Sequence, residues 1–306
     1  MNGPSPTQPA HAGHPTVADA LRSGLAEGLP RLEVEWLLLH ALGRGDTGRA
    51  WLIAHDTDGL EADALAHFRN LCARRRQGEP VAYLLGQRGF HGLMLQVDAR
   101  VLDPRPDTET LVDWALERLD GHAAPTVLDL GTGSGAIALA LKHRRPDVTV
   151  WALDASPDAL DVARTNAVRL QLPVHFVRGH WLRDWPTEHP EAPQRFDLIV
   201  SNPPYVRADD PHLAALTHEP LSALASGADG LDDLREIIAT AGRHLPPGGG
   251  LLLEHGWDQP DAVAALLASH GYRDIEHRLD LGGHRRCTGA RWPDTPDVRR
   301  GTPVRG

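Results

Sequence analysis

Lysine is almost missing: Lys142 is the only one, and arginine supplies the other basic residues. This is a habit of composition and marks no site. Cysteine is nearly as scarce. Cys72 and Cys287 lie far apart, which excludes a disulfide framework and a cysteine metal cluster. Two buried thiols in a reducing cytosol are expected instead. No run of eighteen apolar residues occurs, so no membrane-spanning helix is expected. The first fifteen residues, MNGPSPTQPAHAGHP, have neither a basic start nor an apolar stretch and do not read as a secretory signal. A cytoplasmic protein is expected. An excess of positive charge is also missing. The formal net charge is -10, which argues against a protein that holds nucleic acid through its phosphates. Residues 1–100 carry 11 acidic and 10 basic side chains, so the front part is nearly neutral and the acidic surplus belongs to the rest. The 18 histidines are scattered, with no H-E-x-x-H and no Cys/His spacing, so no metal is expected.

What is present suits a folded protein. Apolar residues make up 41% of the 306 and charged residues 24%, enough for one large core or two modest ones. Residues 1–15 and 292–306 read as loose tails. Thr16 is a plausible N-cap for VADALRSGLAEG. LEVEWLLLHALG follows, with an apolar stripe expected through Leu32, Trp36, Leu39 and Leu42. A third helix, EADALAHFRNLCARRR, would bury Leu65, Phe68, Leu71 and Cys72. Its basic end, Arg74 to Arg76, suits a solvated helix C-terminus. A small helical domain is expected over residues 16–86.

RGFHGLMLQVDARVL reads as a β-hairpin turning at Gly92, within a linker over residues 87–105. DPRPDTETLVDWALERL returns to helix, with Asp107 or Thr108 as its cap and Leu111, Ala115 and Leu119 inside. From there strands and helices alternate: TVLDL, GAIALALKHR, VTVWALD, SPDALDVARTNAVRL, VHFVRG, FDLIVSNPPY, DDLREIIATAGRHL, GGLLLEHG and QPDAVAALLASHG. HRRCTGAR would be the last, edge strand. This is a doubly wound α/β pattern, mostly parallel, over residues 106–291.

Two loops carry chemistry. In VLDLGTGSG, Gly131, Gly133 and Gly135 let the backbone turn tightly and approach a ligand. No G-K-[ST] follows, so this is not a P-loop, and the third glycine comes one residue too early for a dinucleotide fingerprint. Asp154 ends the next strand, where a carboxylate can accept both hydroxyls of a ribose; capping the following helix is the plainer alternative. Asp129 could meet a cationic amino acid moiety. A ligand with a ribose, an adenine and a positive centre fits better than one with a pyrophosphate. The second loop is Ser201-Asn202-Pro203-Pro204-Tyr205. Its prolines remove two N–H donors and leave the carbonyls of Asn202 and Pro203 as acceptors. With the Asn202 side chain and the flat face of Tyr205, these groups would grip a planar NH2.

DLGTGSGAIALAL, ALDASPDALDVARTNA and FDLIVSNPPYV together resemble class I methyltransferases that use S-adenosylmethionine. FHGLMLQVDARVLDPRPDTETLVDWAL, EPLSALASGADGLDDLREII, LLLEHG with Gln259, and LGGHRRCTGAR are similar to one branch, the release-factor glutamine methyltransferases of the PrmC (HemK) family. The resemblance covers about residues 16–291. It implies a Rossmann-like class I fold with a small N-terminal helical domain for substrate recognition and a β-hairpin linker. It implies S-adenosyl-L-methionine as cofactor, with Asp129, Gly131, Thr132, Gly133, Ser134, Gly135, Asp154, Trp181 and Asn202 as its contacts. Trp181 would stack on adenine, or else pack in the core. Asn202, Pro203, Pro204 and Tyr205 would form the catalytic pocket for a glutamine side chain. The implied partner is a class I peptide-chain release factor, methylated on the glutamine of its Gly-Gly-Gln loop by a monomeric enzyme. Arg105 and Glu109 would support the pocket wall or the hairpin hinge, or else form a structural ion pair, and Glu219-Pro220 would shape the loop above. The chain departs from the family's usual pattern at Asp103, His180 and His255. A sister enzyme acting on a ribosomal-protein glutamine and an exocyclic-amine methylase of nucleic acids are the rival readings. A binding module that keeps the fold without catalysis is a third.

Overall fold

The computed structural model describes residues 14–183, 185 and 190–293. Most of the two expected tails, 1–15 and 292–306, lies outside these residues. The ends that are described belong to the fold. Leu60 N–H donates to the Pro15 carbonyl at 2.8 Å, and Trp292 exchanges backbone bonds with Gly248 and Gly249 and packs its ring on Tyr272. The chain divides into two compact units between Leu85 and Gly86.

The first unit is helical: α1 (Val17–Ala26), α2 (Arg31–Ala41), α3 (Arg49–Ala54), α4 (Ala62–Arg76) and α5 (Val81–Leu85). Thr16 caps α1 through a capping box, its hydroxyl accepting from Asp19 N–H while Asp19 accepts from Thr16 N–H. Gly24 lets α1 approach α2 closely, since a Cβ there would stand 2.7 Å from Val34. The core gathers Val17, Val34, Leu37, Leu38, Leu52, Phe68 and Leu71. Leu65, Phe68, Leu71 and Cys72 are buried as expected. The stripe expected on α2 is buried only in its second half, where Leu39 is in the core and Leu42 packs against it. Leu32 and Trp36 are 54% and 43% exposed, whereas Val34, Leu37 and Leu38 are fully buried. A run this apolar offers two stripes of equal quality, and only the positions of α1 and α4 select one. The three arginines closing α4 are not merely solvated: Arg74 pairs with Glu79, Arg75 with Glu33 and Arg76 with Glu27.

The second unit opens with a hairpin, β1 (Gln87–Phe90) and β2 (Leu93–Gln96). His91 and Gly92 both take positive φ, the pattern of a two-residue hairpin turn that matches strand twist. Further on, α6 (Glu109–Arg118) follows a short 3-10 turn over Pro106–Thr108. Thr108 stands at its N-cap with helical dihedrals and no side-chain capping bond, contrary to the capping expected of it or Asp107. Its hydroxyl is engaged elsewhere. Leu111, Ala115 and Leu119 are buried.

A seven-stranded sheet follows, built from β3 (Thr126–Leu130), β4 (Thr149–Asp154), β5 (His175–Arg178), β6 (Leu198–Ser201), β7 (Gly250–Glu254), β8 (Arg273–Leu279) and β9 (Arg285–Arg291). Its order is β5-β4-β3-β6-β7-β9-β8, with the first five parallel and β9 antiparallel to both its neighbours, β7 and β8. The helices α7 (Ala136–Arg144), α8 (Pro157–Leu170), α9 (Asp232–Ala241) and α10 (Pro260–Ser269) connect the parallel strands or flank them. β9 is not the edge strand. It inserts between β7 and β8, and β8 is the edge. RDIEHRL escaped reading as a strand because it is mostly charged, as edge strands often are.

The chain runs outward from β3 to β5, then returns to the other side of β3 as β6. That reversal opens a crevice at the carboxyl ends of β3, β4 and β6, the place where open α/β sheets bind ligands. Phe196, Ile199, Leu251, Leu253, Ile237 and Tyr272 help form the core around it.

Candidate active site

The glycine turn leaves β3 at Leu130. Gly131, Gly133 and Gly135 take φ of +72°, +55° and +84°, which a side chain would resist. Gly131 N–H and Thr132 N–H both donate to the Leu153 carbonyl, tying the turn to the end of β4. Asp129 lies beneath it, fully buried. Its Oδ2 accepts from the Thr132 hydroxyl at 2.7 Å and from Ala138 N–H at 3.2 Å, in the first turn of α7. Burial pushes its carboxyl up to about 7 despite those two bonds, and the charge of Asp154 adds to the shift. At the end of β4, Asp154 accepts from Gly133 N–H and Ser156 N–H, both at 2.9 Å. Burial raises its pKa too. The cap of α8 is Ser156, whose hydroxyl accepts from Ala159 N–H.

A cavity of about 280 Å³ fills the crevice. Gly131, Gly133, Asp154, Trp181, Asn202 and Pro204 lie on its wall, drawn there from the ends of the four strands β3, β4, β5 and β6. Asp129, Thr132, Ser134, Gly135, Pro203 and Tyr205 do not line it. Asp129 and Thr132 hold the turn from below, and Ser134 is buried, its carbonyl accepting from Asn166. Trp181 serves two purposes at once. Its ring faces the cavity yet is only 8% exposed, touches the core, and donates Nε1–H to Asp233 at 2.9 Å. His180 beside it lines the cavity, 3.6 Å from Glu236.

The Asn-Pro-Pro-Tyr segment leaves β6, next to β3. Ser201 anchors it by donating its hydroxyl to the Leu130 carbonyl at 2.7 Å. Asn202 Nδ2 donates to Thr108 Oγ1 at 3.1 Å, which commits the amide nitrogen and leaves Oδ1 as the acceptor for a ligand. Tyr205 O–H donates to Glu254 Oε1 at 3.3 Å, and burial raises the Tyr205 pKa. Gln259 Nε2 donates to the Tyr205 carbonyl at 3.0 Å and fastens the segment from behind. Thr108 and Glu254 were not singled out as site residues from the sequence. Thr108 reads locally as a cap, and Glu254 as the end of an apolar strand; neither carries a local signal for a partner so distant in sequence.

The alternative reading, an ion pair between Arg105 and Glu109, is not what the structure shows. Arg105 pairs with Glu219 at 2.5 Å, while Glu109 accepts from His91 N–H in the hairpin turn. Asp103 completes the first cluster, 3.4 Å from Arg88 and 3.5 Å from Arg105. Burial raises its pKa against the pull of both arginines. Pro220, next to Glu219, lines the cavity, so the cluster braces its wall. His255 is buried on the far side of β7. Burial drives its pKa down to about 4, and its ring bonds the Gly256 carbonyl and the Thr288 hydroxyl. Among the described residues, no group of three or more potential ligands could hold a metal, and no helix is long and apolar enough to cross a membrane.

Comparison with known proteins agrees with this geometry. A family model described as methyltransferase small domain matches residues 108–256, and one described as PrmC N-terminal domain matches residues 19–86. The release factor glutamine methyltransferase of Bordetella pertussis is 50% identical over 264 residues, 86% of this chain and 95% of that protein. That of Burkholderia pseudomallei is 45% identical, over 94% of this chain and 99% of its own. Among solved structures, a methyltransferase from Pyrococcus furiosus shares the fold, with a TM-score of 0.51 at 18% identity over 73% of this chain and 98% of that one. A class I methyltransferase sheet, a PrmC-type helical unit and these high-coverage relatives place the chain in the release factor glutamine methyltransferase family.

Proposed function

We propose that the protein transfers a methyl group from S-adenosyl-L-methionine to the side-chain amide nitrogen of the glutamine in the Gly-Gly-Gln loop of class I peptide-chain release factors. The observation that carries this reading is the Asn202 amide, held by Thr108 with its oxygen left for a ligand, on the wall of a cavity shared with Asp154 and Trp181. Identity of 45–50% to named release factor glutamine methyltransferases supports the choice of substrate.

The cavity fits the cofactor's parts. Gly133 has no atom within 4 Å of where a Cβ would stand, so the backbone there is open to a ligand. Gly131 to Gly135 would wrap the methionine end and the ribose. Asp154 would accept the ribose hydroxyls, and Trp181 would lie against the adenine. Asp129 acts from below, by fixing the turn, rather than by touching the ligand. When bound, the cofactor supplies a methyl group activated on a sulfonium, beside Asn202.

The protein's own task is to prepare a poor nucleophile. An amide nitrogen has its lone pair delocalised into the carbonyl. Asn202 Oδ1 and the Pro203 carbonyl would accept its two hydrogens and favour the positive charge that grows on nitrogen as the methyl–sulfur bond breaks; a neutral thioether leaves, and nitrogen then loses one proton to water. Pro204 keeps Pro203 extended, so that the acceptor is preset. Holding nitrogen and methyl in line supplies much of the remaining acceleration. The helical unit, residues 16–86, would recognise the release factor.

Methyl transfer from labelled cofactor to a purified release factor, followed by peptide mapping, tests the reading. Label on the Gly-Gly-Gln glutamine is expected. Label on a ribosomal protein or on nucleic acid instead, with none on the release factor, would replace it.

A further inference from the structure

We propose that Asn166 is a positioning residue for the cofactor: its buried side-chain amide ties the glycine turn to the β1–β2 hairpin and so holds two walls of the cavity together. The inference deepens the proposed function and rests on it for the identity of the cofactor.

Three residues on one face of α8 meet the site in succession. Ala159 lines the cavity. Ala163 stands 3.3 Å from where a Cβ of Gly135 would lie, so the helix passes directly behind the glycine turn. Asn166 follows on the same side of the helix and is fully buried. It does not line the cavity. Its Nδ2 donates one hydrogen to the Ser134 carbonyl at 3.0 Å and the other to the Gln96 carbonyl at 2.9 Å. Its Oδ1 accepts from Gln96 N–H at 2.7 Å. Both donors and the acceptor are used, and a turned amide would set its oxygen against two carbonyls.

The two partners belong to different walls. Ser134 sits between Gly133 and Gly135, and Gly133 lies on the cavity wall. Gln96 ends β2, opposite Gln87 of β1, and its other edge would be an open strand edge. The Asn166 amide pairs with both backbone groups of that edge, as a neighbouring strand would. Gln96 also roots the segment that follows. Val97 N–H donates to the Gly86 carbonyl at 3.3 Å, Arg100 N–H to Asp98 Oδ1 at 3.0 Å and Val101 N–H to the Asp98 carbonyl at 3.1 Å. Arg100, Val101 and Leu102 then line the cavity. Helix α8 grips β2 a second time, where the Arg169 guanidinium donates to the Met94 carbonyl. That tie does not reach the glycine turn, and its contact with Asn166 is 3.5 Å long.

Without the amide, the Ser134 carbonyl and both backbone groups of Gln96 lose these bonds. The turn and the 100–102 segment are then free to shift separately, and the cofactor must order them as it binds, at a cost in affinity. The Asn-Pro-Pro-Tyr segment is held independently, by Ser201, Thr108 and Gln259. Cofactor affinity should therefore change, and the chemical step should not.

The test compares wild type with Asn166→Leu, which keeps the volume and removes all three bonds, Asn166→Ala and Arg169→Ala. Calorimetric titration with S-adenosylmethionine should give a dissociation constant at least about tenfold higher in both Asn166 variants, about 1.4 kcal/mol. Single-turnover transfer to a release factor at saturating cofactor should stay within about threefold of wild type, while KM for the cofactor rises. Arg169→Ala should lower the melting temperature and leave cofactor affinity within about threefold. Hydrogen exchange supplies a measurement that needs no variant. Gln96 N–H in wild type should exchange at least about fivefold more slowly once S-adenosylmethionine is bound, because the cofactor fixes the turn that Asn166 holds. Asn166→Leu should abolish that slowing. An Asn166→Leu protein that is less stable yet binds cofactor with the wild-type constant would overturn the proposal. So would wild-type Gln96 exchange that ignores the cofactor, which decides the matter if neither Asn166 variant folds. Wild type that binds S-adenosylmethionine but leaves the release factor unmethylated would refute the proposed substrate alone. Wild type that binds no S-adenosylmethionine would refute the cofactor reading, and this proposal with it.

Discussion

Two aspartates end adjacent strands and do different work. Asp154 lies on the cavity wall and accepts from Gly133 and Ser156 N–H, so the ribose contact proposed for it would share its carboxylate with the loop. Asp154→Ala should weaken S-adenosylmethionine binding by roughly 1–3 kcal/mol, the cost of one or two lost hydrogen bonds. Isothermal titration decides it, and unchanged affinity in a folded variant removes the ribose assignment. Asp129 is different: it is fully buried, and its carboxyl is pushed up to about 7. A raised carboxyl means that the folded state holds the proton more tightly than the unfolded chain does. The stabilisation is present at low pH and is lost as pH rises through about 7. Asn at this position imitates the protonated form and keeps an acceptor for Thr132 and Ala138. The melting temperature of wild type relative to Asp129→Asn should therefore fall as pH rises from about 4 to about 7 and level off above that, following that linkage. A difference that stays flat with pH would show an ordinary carboxyl. Asn202→Ala removes the acceptor proposed to meet the substrate amide. Leaving a buried donor unpaired costs roughly 1–3 kcal/mol, so the chemical step should slow by about tenfold to a hundredfold. Single-turnover kinetics at saturating cofactor measure this step, and a wild-type rate would end the amide-gripping mechanism.

Among the elements, the loops after β3 and β6 use glycine in opposite ways. Gly133 faces open space at a φ of +55°. Gly133→Ala should cost about 1–2 kcal/mol of stability for a left-handed residue. Its main effect should be on cofactor affinity, because the new methyl projects where the ligand approaches. Gly230, by contrast, packs under the second loop. A Cβ there would stand 2.3 Å from the Tyr205 carbonyl oxygen, at a φ of +76°. Gly230→Ala must displace that backbone and should be the less stable of the two. Denaturant unfolding and calorimetry on both variants check the contrast. If Gly133→Ala binds cofactor as wild type does, the glycine turn serves folding only. The helix before these loops shows how an element borrows its ends. Thr108 precedes α6 but gives its side chain to Asn202, so the first turn of α6 is secured by the preceding 3-10 turn instead.

The whole chain contains two units, each with its own buried cluster. The cavity lies wholly within the second. A fragment beginning at Gly86 should therefore fold and bind S-adenosylmethionine close to the full-length affinity. It should methylate an intact release factor poorly, if the helical unit supplies recognition. Steady-state kinetics of the fragment against the full chain test this. Full activity on the release factor would assign recognition to the second unit alone.

Much of the element order was legible from the sequence. Period-2 and period-3.6 patterns, the Gly92 turn and the Thr16 cap all depend on residues a few positions apart. The Gly131–Gly135 turn and the Asn-Pro-Pro-Tyr segment were legible for the same reason, since each is one continuous stretch. The first half of the α2 stripe was not legible, because Leu32/Trp36 and Val34/Leu37/Leu38 are equally apolar and the choice belongs to the neighbouring helices. Nor was β8, whose charged strand becomes a strand only by pairing with β9. The partners of Arg105 and Asn202 stand 114 and 94 residues away. No local pattern encodes such pairs. They exist because the parallel sheet brings the ends of β3, β4, β6 and β7 together at one edge. Local chemistry in the sequence determined the elements and the two loops. The closing of the sheet decided which carboxylate stands behind which loop, since hydrogen-bond partners are set by distance in space.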